Sequence, residues 1–270
     1  MELVHLTDLH FGCEDKAALR AAENYIAERK PDAVIVSGDI SRDGLQSELN
    51  DACAWMRELA APVMLTPGNH DVPYFNPWGR LFYPWARFDR ASHGMQVGVW
   101  RTPDWTMVPI NTARGVQLRL NWAQGAISRR QTRAATRALA DTAPEALRMV
   151  ITHHPLDWPN DAPIHGATLG GLEARDALIA AGAELFLSGH LHFASARLIG
   201  ENALSVTSGT LSQRVRHEPC AFTAIRRPAP NVIEAEVLYI VQGVAETASK
   251  RQFTLRAPSR AAPAEMHARV

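Results

Sequence analysis

The chain has 270 residues, a hydrophobic fraction of 46% and 28 basic against 28 acidic side chains, so it can bury a substantial core and carries no global field for nucleic acid or an anionic membrane. Cys13, Cys53 and Cys220 are odd in number and widely spaced, which excludes a disulfide framework or a Cys-ligated zinc and points to three reduced thiols in a cytosolic protein. No run approaches the ~18 apolar residues of a membrane span, and residues 1–5 open straight into a strand pattern without the features of a leader.

Glu2 to Thr7 reads as a first strand running into Asp8-Leu9-His10. In an extended segment residues i and i+2 share a face, so Asp8 and His10 are expected to point the same way. Ala17–Arg29 is helical, with Leu19, Tyr25 and Ile26 at core spacing. The short run Ala33–Val36 reads as a strand buried on both faces and ends in Ser37-Gly38-Asp39. A second helix, Leu45–Leu59, precedes a third strand, Pro62–Leu65, which delivers Pro67-Gly68-Asn69-His70-Asp71. This alternation implies a parallel sheet with right-handed crossovers and all three polar clusters on one edge.

Seven of the 19 aromatics fall between Tyr74 and Phe88, among prolines, in an excursion that reads either as packing on its own body or as a lid or homodimer surface. Two strands are expected at Gln96–Trp100 and Trp105–Ile110. Ser128 starts a helix with Gln131 as its capping-box partner, and its arginines form a solvated face. Leu147–Thr152 delivers His153-His154-Pro155. A helix over Leu172–Ala181 leads to the strand Glu184–Leu187, which delivers Gly189-His190-Leu191-His192. The alternating runs 194–199, 203–206, 221–225 and 232–241 are expected to form an antiparallel second sheet. Residues 1–256 read as one two-layered domain, and residues 257–270 as a disordered tail.

The strand ends collect Asp8, His10, Asp39, Asn69, His153, His190 and His192. Oxygen and imidazole donors without thiolate suit Mn, Fe or Zn. A single tetrahedral ion needs only three or four ligands, so this set points to two ions with Asp39 as the shared carboxylate. Two divalent ions against two carboxylates and a hydroxide leave a net charge of about +1, which favours a phosphate substrate attacked in line by that hydroxide. His70, beside Asn69, is placed to protonate or stabilise the leaving oxygen.

Asp8-Leu9-His10, Gly38-Asp39, Gly68-Asn69-His70-Asp71, His153-His154-Pro155 and Gly189-His190-Leu191-His192 together resemble the five-block signature of the calcineurin-like metallophosphoesterases, closest to the class III cyclic nucleotide phosphodiesterase branch. The resemblance implies an α/β fold, a four-layer α/β/β/α sandwich of two mixed sheets flanked by helices. It implies a dinuclear Mn, Fe or Zn centre with Asp8, His10, Asp39 and His192 on one metal. Asp39, Asn69, His153 and His190 hold the other, and His70 acts on the substrate. One position departs: the Asp that often stands three residues after the bridging Asp to support the catalytic His is here Arg42, followed by Asp43.

The function expected is hydrolysis of a small phosphodiester, a cyclic nucleotide such as 3',5'-cAMP being favoured, with Asn69, His70 and Arg214 as substrate contacts. The alternatives are a nucleotide-lipid pyrophosphatase acting on a UDP-diacylglucosamine type of substrate, or a nuclease. Neutral charge weighs against the nuclease, the Arg42 departure against a phosphoprotein phosphatase, and the full ligand set against a non-catalytic scaffold. No nucleic-acid partner is expected.

Overall fold

The computed structural model describes residues 1–117 and 123–256. The elements run β1 (Glu2–Leu6), α1 (Lys16–Arg29), β2 (Ala33–Val36), α2 (Gln46–Arg57), β3 (Val63–Leu65), α3 (Pro77–Phe82), α4 (Ala86–Ala91), β4 (Trp100–Arg101), β5 (Trp105–Ile110), α5 (Arg129–Ala140) and β6 (Leu147–Thr152). They continue with α6 (Gly171–Ala180), β7 (Leu185–Ser188), β8 (Ser195–Ile199), β9 (Ala203–Thr207), β10 (Ala221–Ala229), β11 (Val232–Val241) and β12 (Val244–Thr254). The strands form two six-stranded sheets, ordered β12-β11-β10-β1-β2-β3 and β4-β5-β6-β7-β9-β8. Both are mixed: β1-β2-β3 and β5-β6-β7-β9 run parallel, and the outer strands antiparallel.

Three apolar clusters account for four layers. Val4, Leu6, Val34 and Val36 face α1 and α2 through Leu19, Ile26, Leu49 and Met56. On the opposite pleat Leu3, Ala33 and Ile35 meet Met107, Met149, Ile151 and Leu187 of the other sheet. The far side of that sheet buries Val108, Val150 and Phe186 against Leu139 and Leu178 of α5 and α6. The continuous apolar runs at β2 and β6 are therefore read correctly as strands covered on both faces. The Ser128–Gln131 capping box also forms.

The separate antiparallel sheet expected from residues 194–241 does not form. β8 and β9 extend the β4–β7 sheet, with Leu204 and Val206 joining its inner cluster, while β10–β12 add to β1 through Leu3↔Ile225. Alternation reveals which side chains face inward but not which neighbour a strand takes. β12 itself escapes sequence reading because its residues are nearly all exposed, with Phe253 the buried anchor. Of the strand expected at Gln96–Trp100, only Trp100–Arg101 pairs as such, and Gln96 makes an isolated bridge to Met64. The tail expected over 257–270 lies outside the described residues.

Candidate metal centre

The polar clusters follow the carboxyl ends of β1, β2, β3, β6 and β7, so both sheets deliver them to one rim. The expectation that Asp8 and His10 share a strand face is not what aligns them, because β1 ends at Leu6. Asp8, His10, Asp39, His190 and His192 instead adopt left-handed backbone, with φ of 54°, 46°, 51°, 70° and 50°. Only Lys30 and Gln242 share that property among the described non-glycine residues. Such conformations cost energy, and their concentration at one site points to function. Gly68 and Gly189 make the approach possible: a Cβ on Gly68 would strike Asp39 Oδ1, and one on Gly189 would strike Thr7 Oγ1 and Asp8 Oδ2. A Gly189→Ala variant should therefore lose metal uptake while still folding around its apolar clusters, as judged by metal analysis beside circular dichroism.

His10 Nδ1 and His192 Nδ1 donate to the carbonyls of Ser41 and Arg214, at 3.3 and 2.6 Å. Their Nε2 atoms are thus the ones turned to the centre, where they lie 3.2 Å apart. Asp8 Oδ1 joins them at 3.7 Å from His10 and 3.1 Å from His192. The other oxygen, Asp8 Oδ2, already accepts from Thr7 Oγ1 and the His190 N–H, both at 2.8 Å. Two imidazole nitrogens and a carboxylate oxygen converge on one buried point, which is an arrangement that a cation satisfies.

Asp39 makes a second such point. Its Oδ1 accepts the His70 N–H at 2.7 Å, while Oδ2 faces His153 Nε2 at 3.2 Å without hydrogen-bond geometry. His153 Nδ1 donates to the Ser37 carbonyl at 2.8 Å, so Nε2 is the nitrogen left to bind a metal. Asp8 Oδ1, Asn69 Oδ1 and His153 Nε2 are buried without hydrogen-bond partners. The groupings Asp8–His10–His192 and Asp8–Asp39–His153 each hold ligand atoms within 4.8 Å of one another. Burial pushes His10 and His190 down to about 3, leaving them neutral and ready to bind metal. Burial opposes the charge on Asp8 and Asp39 too, but His192 beside the first and His153 beside the second hold both carboxylates below their usual range.

His153 behaves differently. Burial lowers it, but the Asp39 carboxylate outweighs burial and raises it to about 9. A cation must displace that proton at neutral pH. Metal affinity should therefore rise about tenfold per pH unit until roughly pH 9, with one proton released per chain, as titration calorimetry in buffers of different ionisation heat would read.

His154 also falls in a grouping, with His153 and His190. Its nitrogens are committed elsewhere, Nε2 to the Ala123 carbonyl at 2.8 Å and Nδ1 to Thr112 Oγ1 at 2.9 Å. It ties Thr112 and Ala123 to the end of β6. Asp71, too, is a supporting residue that sequence reading passed over: its carboxylate accepts from Ser41 N, Ser41 Oγ and Gly68 N. Asp71→Ala strands the buried N–H donors of Ser41 and Gly68 and should cost about 3 kcal/mol in denaturant unfolding.

His70 sits at the rim. Its Nδ1 donates to the Arg42 carbonyl at 2.6 Å, and Arg214 Nη1 stands 3.1 Å from its Nε2. The position left without its supporting Asp is thus filled by a backbone oxygen. The Arg42 side chain turns away to Asp43 and the Gly12 carbonyl, on the surface. Arg214 lies in the connection between β9 and β10 rather than on a strand, and it also approaches His10 Nδ1 at 3.4 Å.

Residues 1–194 match the family model described as calcineurin-like phosphoesterase. An 82-residue stretch is 33% identical to a probable cyclic nucleotide phosphodiesterase of Synechococcus, covering 27% of this chain and 32% of that protein. An 83-residue stretch is 36% identical to the glycerophosphodiester phosphodiesterase GpdQ of Enterobacter lignolyticus, covering 26% of this chain and 30% of that protein. The matched stretches thus span about a third of these curated relatives. A dimetal phosphatase from Danio rerio superposes with a TM-score of 0.70 over 95% of this chain and 99% of that one, at 13% identity. A purple acid phosphatase from yellow lupin superposes with a TM-score of 0.63 over 96% of this chain and 54% of that one, at 12% identity. At such identities the likeness concerns the fold, and the family follows from the sequence match: the chain belongs to the calcineurin-like phosphoesterases.

Proposed function

We propose that this protein is a metal-dependent phosphoric diester hydrolase acting on a small phosphodiester, with a cyclic nucleotide such as 3',5'-cAMP favoured. The observation that carries the reading is the convergence of buried carboxylate and imidazole ligand atoms on two points, Asp8–His10–His192 and Asp8–Asp39–His153. Asp8, His10, Asp39 and His192 hold one ion; Asp39, Asn69, His153 and His190 hold the other. The donor set suits Mn, Fe or Zn. Ions bound there supply Lewis acidity toward phosphoryl oxygen and an acidified water as nucleophile.

The chain's own residues do the rest. The Asp8 and Asp39 carboxylates are fixed by Thr7, His190 N–H and His70 N–H, so the centre is built before substrate arrives. Arg214 offers a guanidinium to a non-bridging oxygen. His70, oriented by the Arg42 carbonyl, meets the leaving oxygen. A glycerophosphodiester is the second reading, favoured by the match to GpdQ.

The test is a panel of cyclic nucleotides, glycerophosphodiesters, other linear diesters, phosphomonoesters and nucleotide-lipid pyrophosphates, assayed with Mn, beside metal analysis. Cyclic nucleotides should turn over fastest. Turnover confined to monoesters or to lipid-linked pyrophosphates would overturn the diester reading.

A further inference from the structure

The segment just past the centre exposes what a water-soluble surface normally hides. Tyr74, Phe75, Trp78, Leu81, Phe82 and Tyr83 are 51–72% exposed, and among the described residues no other large aromatic is as open. Trp78 and Phe82 stack with rings 2° from parallel, presenting one flat apolar face from α3. This is not loose core. Phe88 and Ala91 of α4 are buried in the main cluster, and Arg80 is turned inward with Nε on the Gly115 carbonyl at 2.6 Å. The helices are anchored and their aromatics are turned out. Arg80 is also the only charged residue between Pro73 and Ala86.

A basic row lies across one loop from this face. Residues 111–117 bond to α3 at Gly115 and to the first turn of α5, where Arg114 donates to Gln131 Oε1 and Gln131 donates to the Asn111 carbonyl. α5 has no acidic residue, and Arg129, Arg133 and Arg137 follow one another at i, i+4, i+8 with Arg130 alongside, all exposed. None of these four arginines is in an ion pair among the described residues.

We infer that the aromatic face of α3 and the basic row of α5 form a docking surface for an anionic lipid bilayer. Trp, Tyr and Phe settle at the headgroup level, where one end of the ring is apolar and the other wet. Each arginine near an anionic leaflet adds about 1 kcal/mol. A two-fold contact with a second copy, one of the readings open for residues 74–88, would bury the aromatics and leave the arginine row without an anionic partner. An anionic bilayer satisfies both halves of the surface at once. The inference does not depend on which phosphodiester the centre cleaves.

The full-length protein is tested by co-sedimentation with vesicles of phosphatidylcholine alone and of phosphatidylcholine mixed equally with phosphatidylglycerol. Binding should be strong to the anionic vesicles and at least about tenfold weaker to the neutral ones. Trp78→Ser with Phe82→Ser, and separately Arg133→Glu with Arg137→Glu, should each weaken anionic binding about tenfold or more while leaving the melting temperature and hydrolysis of a soluble diester near wild type. Added salt should reverse binding of the wild type. Absence of vesicle binding overturns the inference. So does binding that both variants retain. Light scattering that shows a dimer, split by Trp78→Ser with Phe82→Ser, assigns the face to a second copy and also overturns it.

Discussion

Asp39→Asn should cost the protein its metal and its turnover together. The side chain is isosteric, so the change is one of charge and hydrogen-bond sense. Asp39 Oδ1 accepts from the His70 N–H and Oδ2 faces His153 Nε2. An amide can keep its oxygen on His70, but its NH2 then occupies the point where a cation belongs and donates to His153 instead. Turned the other way, it meets the His70 N–H donor to donor. Either way a shared ligand is lost, and activity should fall at least about a thousandfold, with metal content well below two ions per chain. Stability offers a second readout. Asp39 raises the cost of charge on Asp8, because the two buried carboxylates repel. A chelator should therefore lower the melting temperature of the wild type and move Asp39→Asn much less. Full activity in the variant would refute the shared-ligand assignment.

The candidate ligands were legible because the chemistry demands residue types that packing does not. An imidazole or carboxylate at the end of a buried apolar run has no use in a core, and here five such runs each end that way. What could not be read was how they converge. Asp8 and His10 reach the centre through left-handed backbone that only a local strain map reveals, not through strand alternation. The partner of His70 was hidden for a related reason: a main-chain carbonyl has no letter in the sequence, and Arg42 supplies one while its side chain points elsewhere. The place of Arg214 is set by its loop, which also gives the Arg214 carbonyl to His192. Sheet membership was missed because β9 and β10 carry the same apolar alternation yet join opposite sheets.

His70→Ala should abolish turnover with metal content unchanged. Its imidazole is in none of the three groupings of candidate ligand atoms, and unlike the buried candidate ligands it is partly open to solvent. One nitrogen is spent on the Arg42 carbonyl, which aims the other outward beside Arg214 Nη1, 3.1 Å away. That places a proton carrier and a fixed cation together where a leaving oxygen would develop charge. Loss of the first should lower kcat by about a hundred- to ten-thousandfold, the usual range for general acid–base catalysis. Arg214→Ala should act differently, raising KM more than it lowers kcat if the guanidinium grips the phosphate in ground and transition state alike. Arg214→Lys, which keeps the charge but not the planar fork, should recover part of that loss. The distinction rests on metal analysis run beside kinetics. A His70→Ala protein that loses its ions in step with its turnover would make His70 a ligand and return the leaving-group role to Arg214 alone.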